Sequence, residues 1–198
     1  MDTDNVALDF LNTRTYVNGR ATDLLSTPEE LREWLVGVGL HAHGIDVEAS
    51  PPAARLLFDE ARRLRDGILT AVEAHGRCER VPPRVLYALN RVLEASRSTV
   101  QLVHDGERLT LVKLGTAPDS LAALSPIALA AATLLTEADR RRIRQCGSQR
   151  CVLWFLDTSK NGRRRWCSMG ASRMRCCSSS SPRAARVRWS PRGGNRSV

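Results

Sequence analysis

Aromatic residues are scarce in this chain, with nine among 198. No apolar run approaches the roughly 20 residues that a membrane-spanning helix needs, so no membrane association is expected. The first residues lack a basic stretch leading into an apolar one. Asp2, Asp4 and Asp9 make this end acidic instead, which argues against a signal peptide. The expected location is therefore the cytoplasm, where six cysteines serve more readily as metal ligands or free thiols than as disulfides. No Gly-rich phosphate loop, nucleophile elbow or paired acidic motif stands out, so an enzyme is not expected. Four histidines show no metal spacing beyond the His41-x-His43 pair in a Gly-bounded loop.

Acidic residues are missing from one part of the chain above all. Residues 139–198 carry 16 Arg/Lys against only Asp139 and Asp157, whereas residues 1–138 carry 14 Arg/Lys against 19 Asp/Glu. A basic end on an acidic body is the electrostatic footprint of a nucleic-acid binder. Residues 171–198 contain seven Arg, seven Ser and no acidic residue, Ile, Leu or Phe. With no usable hydrophobic period they are expected to be a disordered basic tail.

The body reads as helical. Residues 5–14 suggest a short amphipathic helix. Thr27-Pro28-Glu29-Glu30 is a helix start, with Thr as cap, Pro at the first position and Glu at the third. Leu31, Trp34, Leu35 and Val38 then repeat at helical spacing, with Gly39 after them. Ser50-Pro51 opens a long helix. Its apolar stripe runs from Leu56 to Val72, Arg62, Arg63 and Arg65 lie outside it, and Gly76 closes it. Pro82-Pro83 begins another, with Val85, Leu86, Leu89, Val92 and Leu93 on the buried face. The period changes at Val100, Leu102 and His104. Asp105-Gly106 then precedes Leu109, Leu111 and Leu114, which predicts a β-hairpin. Pro126 to Leu135 predicts a buried helix.

Chemistry concentrates between Cys146 and Cys167. Three cysteines in a short, Arg-rich, turn-containing segment look like most of a thiolate zinc site, since structural zinc takes four tetrahedral ligands and favours sulfur. The predicted geometry places Cys146 and Cys151 on one knuckle. A strand pair, 152–156 and 163–167, brings Cys167 back beside them. Cys176 or Cys177 is the available fourth thiolate. Lys160, Arg163, Arg164 and Arg165 lie on or beside the hairpin turn, and alternation points Arg163 and Arg165 to one face and Arg164 to the other. Guanidinium groups suit phosphate clamping and guanine reading, so these four are the candidate nucleic-acid contacts. The alternative for them is a solvated charged turn. In the first helix, Asp9, Asn12 and Thr13 are spaced to share a face, with Arg14 adjoining. They are candidates either for a small-ligand pocket or for a hydrogen-bonded cluster that locks the helix. Cys78 reads as a lone structural or surface thiol.

Cys146-x4-Cys151-x3-Phe155-x-Asp157, followed by Asn161-Gly162-Arg163-Arg164-Arg165-Trp166-Cys167-Ser168-Met169, resembles the CGNR-type zinc finger. The helical region before it, with Leu8-Asp9-Phe10-Leu11-Asn12-Thr13 near its start, resembles the ABATE domain that accompanies such fingers. The resemblance covers about residues 5–170. It implies a bacterial, stress-linked transcription regulator with a DNA-binding zinc finger behind a sensory domain. In the family, Cys-Ser-Met leads after two residues to Cys-Gly-Asn-Arg, which supplies the fourth ligand. Here that position is Ser172, and Gly193-Gly194-Asn195-Arg196 echoes the motif far downstream. The composition change after Gly170 fits a frameshifted end or genuine divergence.

The resulting expectation is an α+β, mainly α protein. A helical ABATE-like domain with one β-hairpin (1–138) precedes an incomplete ββ zinc module (139–170) and the basic tail. The expected function is zinc-dependent DNA binding for transcription regulation, gated by a small ligand. A purely structural finger on a protein-interaction module, or an inactive paralogue with a degraded finger, is the alternative. The ligand and the oligomeric state, a homodimer included, stay open.

Overall fold

In the computed structural model, residues 5–17, 20–40, 50–95, 98–105, 108–115, 121–149 and 151–167 are described, with only the backbone for 98–115. The architecture is α+β and mainly α. The described residues form five helices and three separate two-stranded antiparallel sheets.

The first helix, α1 (Val6–Leu11), is shorter than the sequence pattern suggests. The Asn5 side chain caps it by accepting from the backbone N–H groups of Ala7 and Leu8. It ends at Leu11 because Asn12 and Thr13 turn the chain into β1 (Arg14–Val17), which pairs with β2 (Arg20–Asp23) in the register Arg14↔Asp23. Sequence reasoning missed this hairpin because its strands are only four residues long, although the turn pair Asn18-Gly19 stands between them in the sequence. The described residues of the domain thus form two hairpins where one was expected.

Helix α2 (Pro28–Gly37) begins with the predicted reciprocal cap: Glu30 N–H donates to Thr27 Oγ1, and Thr27 N–H to the Glu30 carboxylate. Helix α3 (Pro51–Gly76) is the long spine, and α4 (Pro83–Glu94) packs on it. Gly76 is the last helical residue of α3, but it does not take the left-handed turn. Cys78 does, at φ 60°, with Glu79 N–H bonding Ala74 O and Cys78 N–H bonding His75 O, a Schellman closure. Strands β3 (Ser98–Asp105) and β4 (Arg108–Gly115) form the predicted hairpin in the register Asp105↔Arg108. Gly106 of the turn lies outside the described residues. A 3-10 turn (Ala122–Leu124) leads into α5 (Ser125–Glu137), the predicted buried helix.

One apolar core joins α1, α2, α3, α4 and α5, centred on Phe10, Phe58, Ile68, Leu124 and Ile127, each at most 2% exposed. Phe10 and Trp34 meet with ring centroids 5.2 Å apart. Three assignments on the helical faces need correction. Leu56 and Leu86 face solvent, while Arg65, placed outside the stripe by its charge, is 1% exposed. Arg65 is accommodated because Asp23 at the end of β2 takes both its terminal nitrogens (2.8 and 2.6 Å) and Thr13 Oγ1 takes a further bond (2.6 Å). A buried charge is tolerated only when paired in this way.

A second 3-10 turn (Arg140–Arg142), capped by Asp139, leads to β5 (Ile143–Gln145), which pairs with β6 (Trp154–Leu156). Ile143 joins the main core, and Trp154 and Leu156 pack against it. No helix among the described residues is long and apolar enough to cross a membrane.

Candidate zinc centre and nucleic-acid interface

The sulfur site is built on turns rather than on the predicted strand pair. Strand β6 pairs with β5, which precedes the knuckle, and residues 163–167 form no strand. The correction has a simple cause. Cys146 follows β5 directly and its N–H bonds Leu153 O (2.8 Å), so the two cysteines of the knuckle sit at the open end of the β5–β6 ladder. Cys151 N–H closes a turn on Ser148 O (3.0 Å). The returning segment is held by Gly147 N–H on Arg165 O at 2.9 Å. A side chain at Gly147 would bring a Cβ within 3.2 Å of that oxygen, a tight contact that favours glycine here.

The Sγ atoms of Cys146, Cys151 and Cys167 lie within 4.8 Å of one another. Cys151 and Cys167 are 3.7 Å apart, unbridged. Zn–S bonds of about 2.3 Å in a tetrahedron give an S···S edge of about 3.8 Å, so this pair already stands at ligand spacing. Cys146 and Cys151 are buried and Cys167 is half-buried. The Cys167 thiol is pushed well above its ordinary pKa, first by the hydrogen bond with Cys151, then by burial and the neighbouring sulfurs. Crowded thiols that resist ionising together are the donor set that a divalent cation satisfies. The residues present therefore fit zinc, with three protein sulfurs. Cys176, the proposed fourth, and Cys177 lie outside the described residues.

Asp157 organises the turn that follows. It is fully buried, and its carboxylate accepts from Ser159 Oγ (2.5 Å), Ser159 N–H (3.0 Å) and Arg164 N–H (2.8 Å). Its pKa is lowered, chiefly by the Ser159 hydroxyl, with burial opposing and the two N–H donors and Arg144 assisting. Gly162 takes φ 58° within this turn, a conformation that favours glycine.

The structure divides the arginines into two sets. Arg142 donates to Asp157 O and Ser159 O. Arg144 donates to Arg141 O, Gly162 O and Arg164 O. Arg164 donates to Trp166 O and Cys167 O, and its guanidinium lies 4.8 Å from the Phe155 ring centroid. These three face inward and satisfy backbone carbonyls. Arg164 therefore does not belong with the candidate nucleic-acid contacts, because its guanidinium is consumed inside the module. Lys160, Arg163 and Arg165 are exposed, with Arg165 resting near Trp166 (5.9 Å). Arg140 and Arg141, which sequence reasoning had not singled out, are exposed as well. Nothing in the order of residues 140–144 distinguishes outward from inward arginines.

The four candidate ligand residues do not form one pocket-facing group. Asn12 makes a reciprocal pair with the backbone of Trp154: its amide donates to Trp154 O (2.9 Å) and its oxygen accepts from Trp154 N–H (2.8 Å). Thr13 donates to Phe10 O (2.6 Å) and is 2% exposed. Asp9 is half-buried on α1. Thr13 locks the helix end and Asn12 joins it to the zinc module, and the helix ends before a shared face extends to Thr13. Only Arg14 lines a cleft, of about 490 Å³, between the β1–β2 hairpin, α3 and the module residues Gln145, Val152 and Trp154.

Two family models match the chain. The ABATE model, described as "Putative stress-induced transcription regulator", matches residues 4–138. The CGNR zinc finger model matches residues 142–188, a span that includes Ser172, Cys176 and Cys177. No curated protein matches the chain. The finger match and the converging thiols agree, and the chain is a zinc-binding protein.

Proposed function

Because this chain belongs to the ABATE family and carries a CGNR zinc finger, we propose that it regulates transcription by binding DNA through the finger, under the control of a small ligand held by the ABATE domain. The carrying observation is the division of the arginines. Inward guanidiniums hold the zinc module together, which leaves Lys160, Arg163 and Arg165 exposed on a turn tied down by Asp157. Arg140 and Arg141 add exposed charge at the entry to β5. A turn held in shape presents its cations without first having to order them, which favours phosphate binding.

The test is the salt dependence of binding to duplex DNA by the zinc-loaded full chain. Each phosphate contact contributes about −0.9 to the slope of log affinity against log salt. Replacing Arg163 and Arg165 with Ala should weaken binding and flatten the slope by about 1.8. Unchanged affinity and slope would move the function to the alternative, a protein-interaction module with a structural finger. The Asn12–Trp154 pairing gives that alternative a specific footing, since it shows the module serving the fold of its neighbour.

A further inference from the structure

The 490 Å³ cleft has walls from both matched regions: Tyr16 on β1 and Glu73 on α3 from one, Gln145, Val152 and Trp154 from the other. Four charged side chains line it, and three of them are already paired. Arg65 is held by Asp23 through two bonds, and Arg14 by Asp66 at 2.5 Å and Asp23 at 3.6 Å. Glu73 is different. It is half-buried and makes no ion pair or side-chain hydrogen bond among the described residues. It shares the cleft with two half-buried aromatic side chains, Tyr16 and Trp154, and with the apolar Leu69 and Val152.

A lone carboxylate beside aromatic faces attracts an organic cation, by direct charge and by the ring quadrupoles. An anion would meet Glu73 and two arginines already paired, Arg14 with Asp66 and Arg65 with Asp23, while Arg77, Arg144, Arg164 and Arg165 line the adjoining cleft that Glu73 also borders. The volume falls in the range of ordinary small-molecule sites. We propose that this cleft binds a small organic ammonium ion with an apolar or aromatic body, its charge on Glu73 and its body against Tyr16 and Trp154. The inference rests on the ligand-controlled reading above and gives it a site and a ligand class. Gln145 and Val152 adjoin Cys146 and Cys151 in sequence, and Trp154 is the residue that Asn12 holds. An occupant therefore touches the knuckle and the β1–β2 hairpin together. Linkage requires that ligand and DNA change each other's affinity by one common factor.

The experiment is calorimetric titration of the zinc-loaded full chain with arylalkyl ammonium ions, from benzylammonium to 4-phenylbutylammonium. Phenylacetate and 2-phenylethanol serve as the anionic and neutral counterparts. Saturable binding of at least one ammonium ion is expected, about tenfold or more tighter than either counterpart, which corresponds to one RT ln 10 step. Glu73→Gln should remove that preference at an unchanged melting temperature. If Glu73→Gln does not fold, Tyr16→Leu is read in its place and should weaken every ammonium ion by a larger factor than phenylacetate, because only the cations lose an attraction to the ring face. No saturable ammonium binding, a preference for phenylacetate, or full ammonium affinity in Glu73→Gln would overturn the proposal. DNA affinity measured on the same preparation separates the two readings. DNA binding without ammonium binding removes only this site, and ammonium binding without DNA binding removes only the regulator.

Discussion

The helical domain and the zinc module satisfy their inward arginines differently. In the domain, Arg65 sits beneath a hairpin, and its charge is met by another side chain, Asp23. In the module, Arg142, Arg144 and Arg164 all donate to backbone carbonyls. The domain has a continuous apolar core and needs one ion pair to admit one misplaced charge. Among the described residues, the module buries Cys146, Cys151 and Leu153 as a cluster of its own. So small a core cannot offset the entropy of ordering the chain, and such modules need staples. Here the staples are the sulfur site, the guanidinium-to-carbonyl bonds, the Asp157 hub and the graft onto Asn12. Stability in the domain is spread over many residues, whereas in the module it rests on a few.

Removing the metal should break this contrast most strongly. Cys167→Ser, or chelation, should take bound zinc from about one per chain to near zero and release the module, because such sites couple metal binding to folding. Hydrogen exchange should show lost protection across residues 146–167, while the helical circular dichroism persists. Retained protection across that segment would mean that the polar staples suffice alone.

The next effect is expected at the domain's own weak point. Asp23→Asn leaves Arg65 buried without its counter-charge and should cost about 3 kcal/mol, the low end for breaking such a pair because Asp23 is partly exposed. The pair also sets an acid limit. Burial opposes ionisation of Asp23, but the Arg65 hydrogen bonds, the Leu25 N–H and the charges of Arg65 and Arg14 outweigh it and lower its pKa. A group whose folded pKa is lowered contributes stability above its unfolded value of about 3.9 and loses it as pH falls through the lowered one. Denaturant melts should weaken below about pH 4 in the wild type and show less of that slope in Asp23→Asn.

Asn12→Ala tests whether the two regions are coupled. It leaves Trp154 N–H and C=O unpaired and should cost about 2 kcal/mol. The loss should appear as earlier opening of β5–β6 than of α3 in hydrogen exchange. Uniform loss over the whole chain would mean that the module and the domain unfold as one unit.

The smallest effect runs the other way. Cys78 occupies a left-handed position that glycine adopts freely. Cys78→Gly should raise stability by about 1 kcal/mol, seen as a shift in the denaturant midpoint without a change in slope.

The helices were legible from local signals. The Thr27–Glu30 cap, the paired prolines ahead of α3 and α4, and the apolar periods each act within a turn or two of chain, so neighbouring residues suffice to specify them. The β3–β4 hairpin was legible for the same reason. The β1–β2 hairpin carried a local signal too, Asn18-Gly19, but strands of four residues are too short to show an alternation, and its packing against Arg65 spans more than forty residues of chain. The zinc cysteines could be read from type and spacing, but their scaffold could not. Strand β6 pairs with β5, whose Ile143 is held in the main core by residues distant in the chain.

By itself the sequence determined the helical order of the domain, the three sulfur ligands and the basic character of the finger, since these depend on residue type and short spacing. Only the tertiary structure decided which arginines face solvent, that Asn12 serves the finger rather than a ligand, and that Arg65 lies in the interior. A charged or amide side chain carries the same atoms wherever it stands, and its role follows from the distant partner that satisfies it.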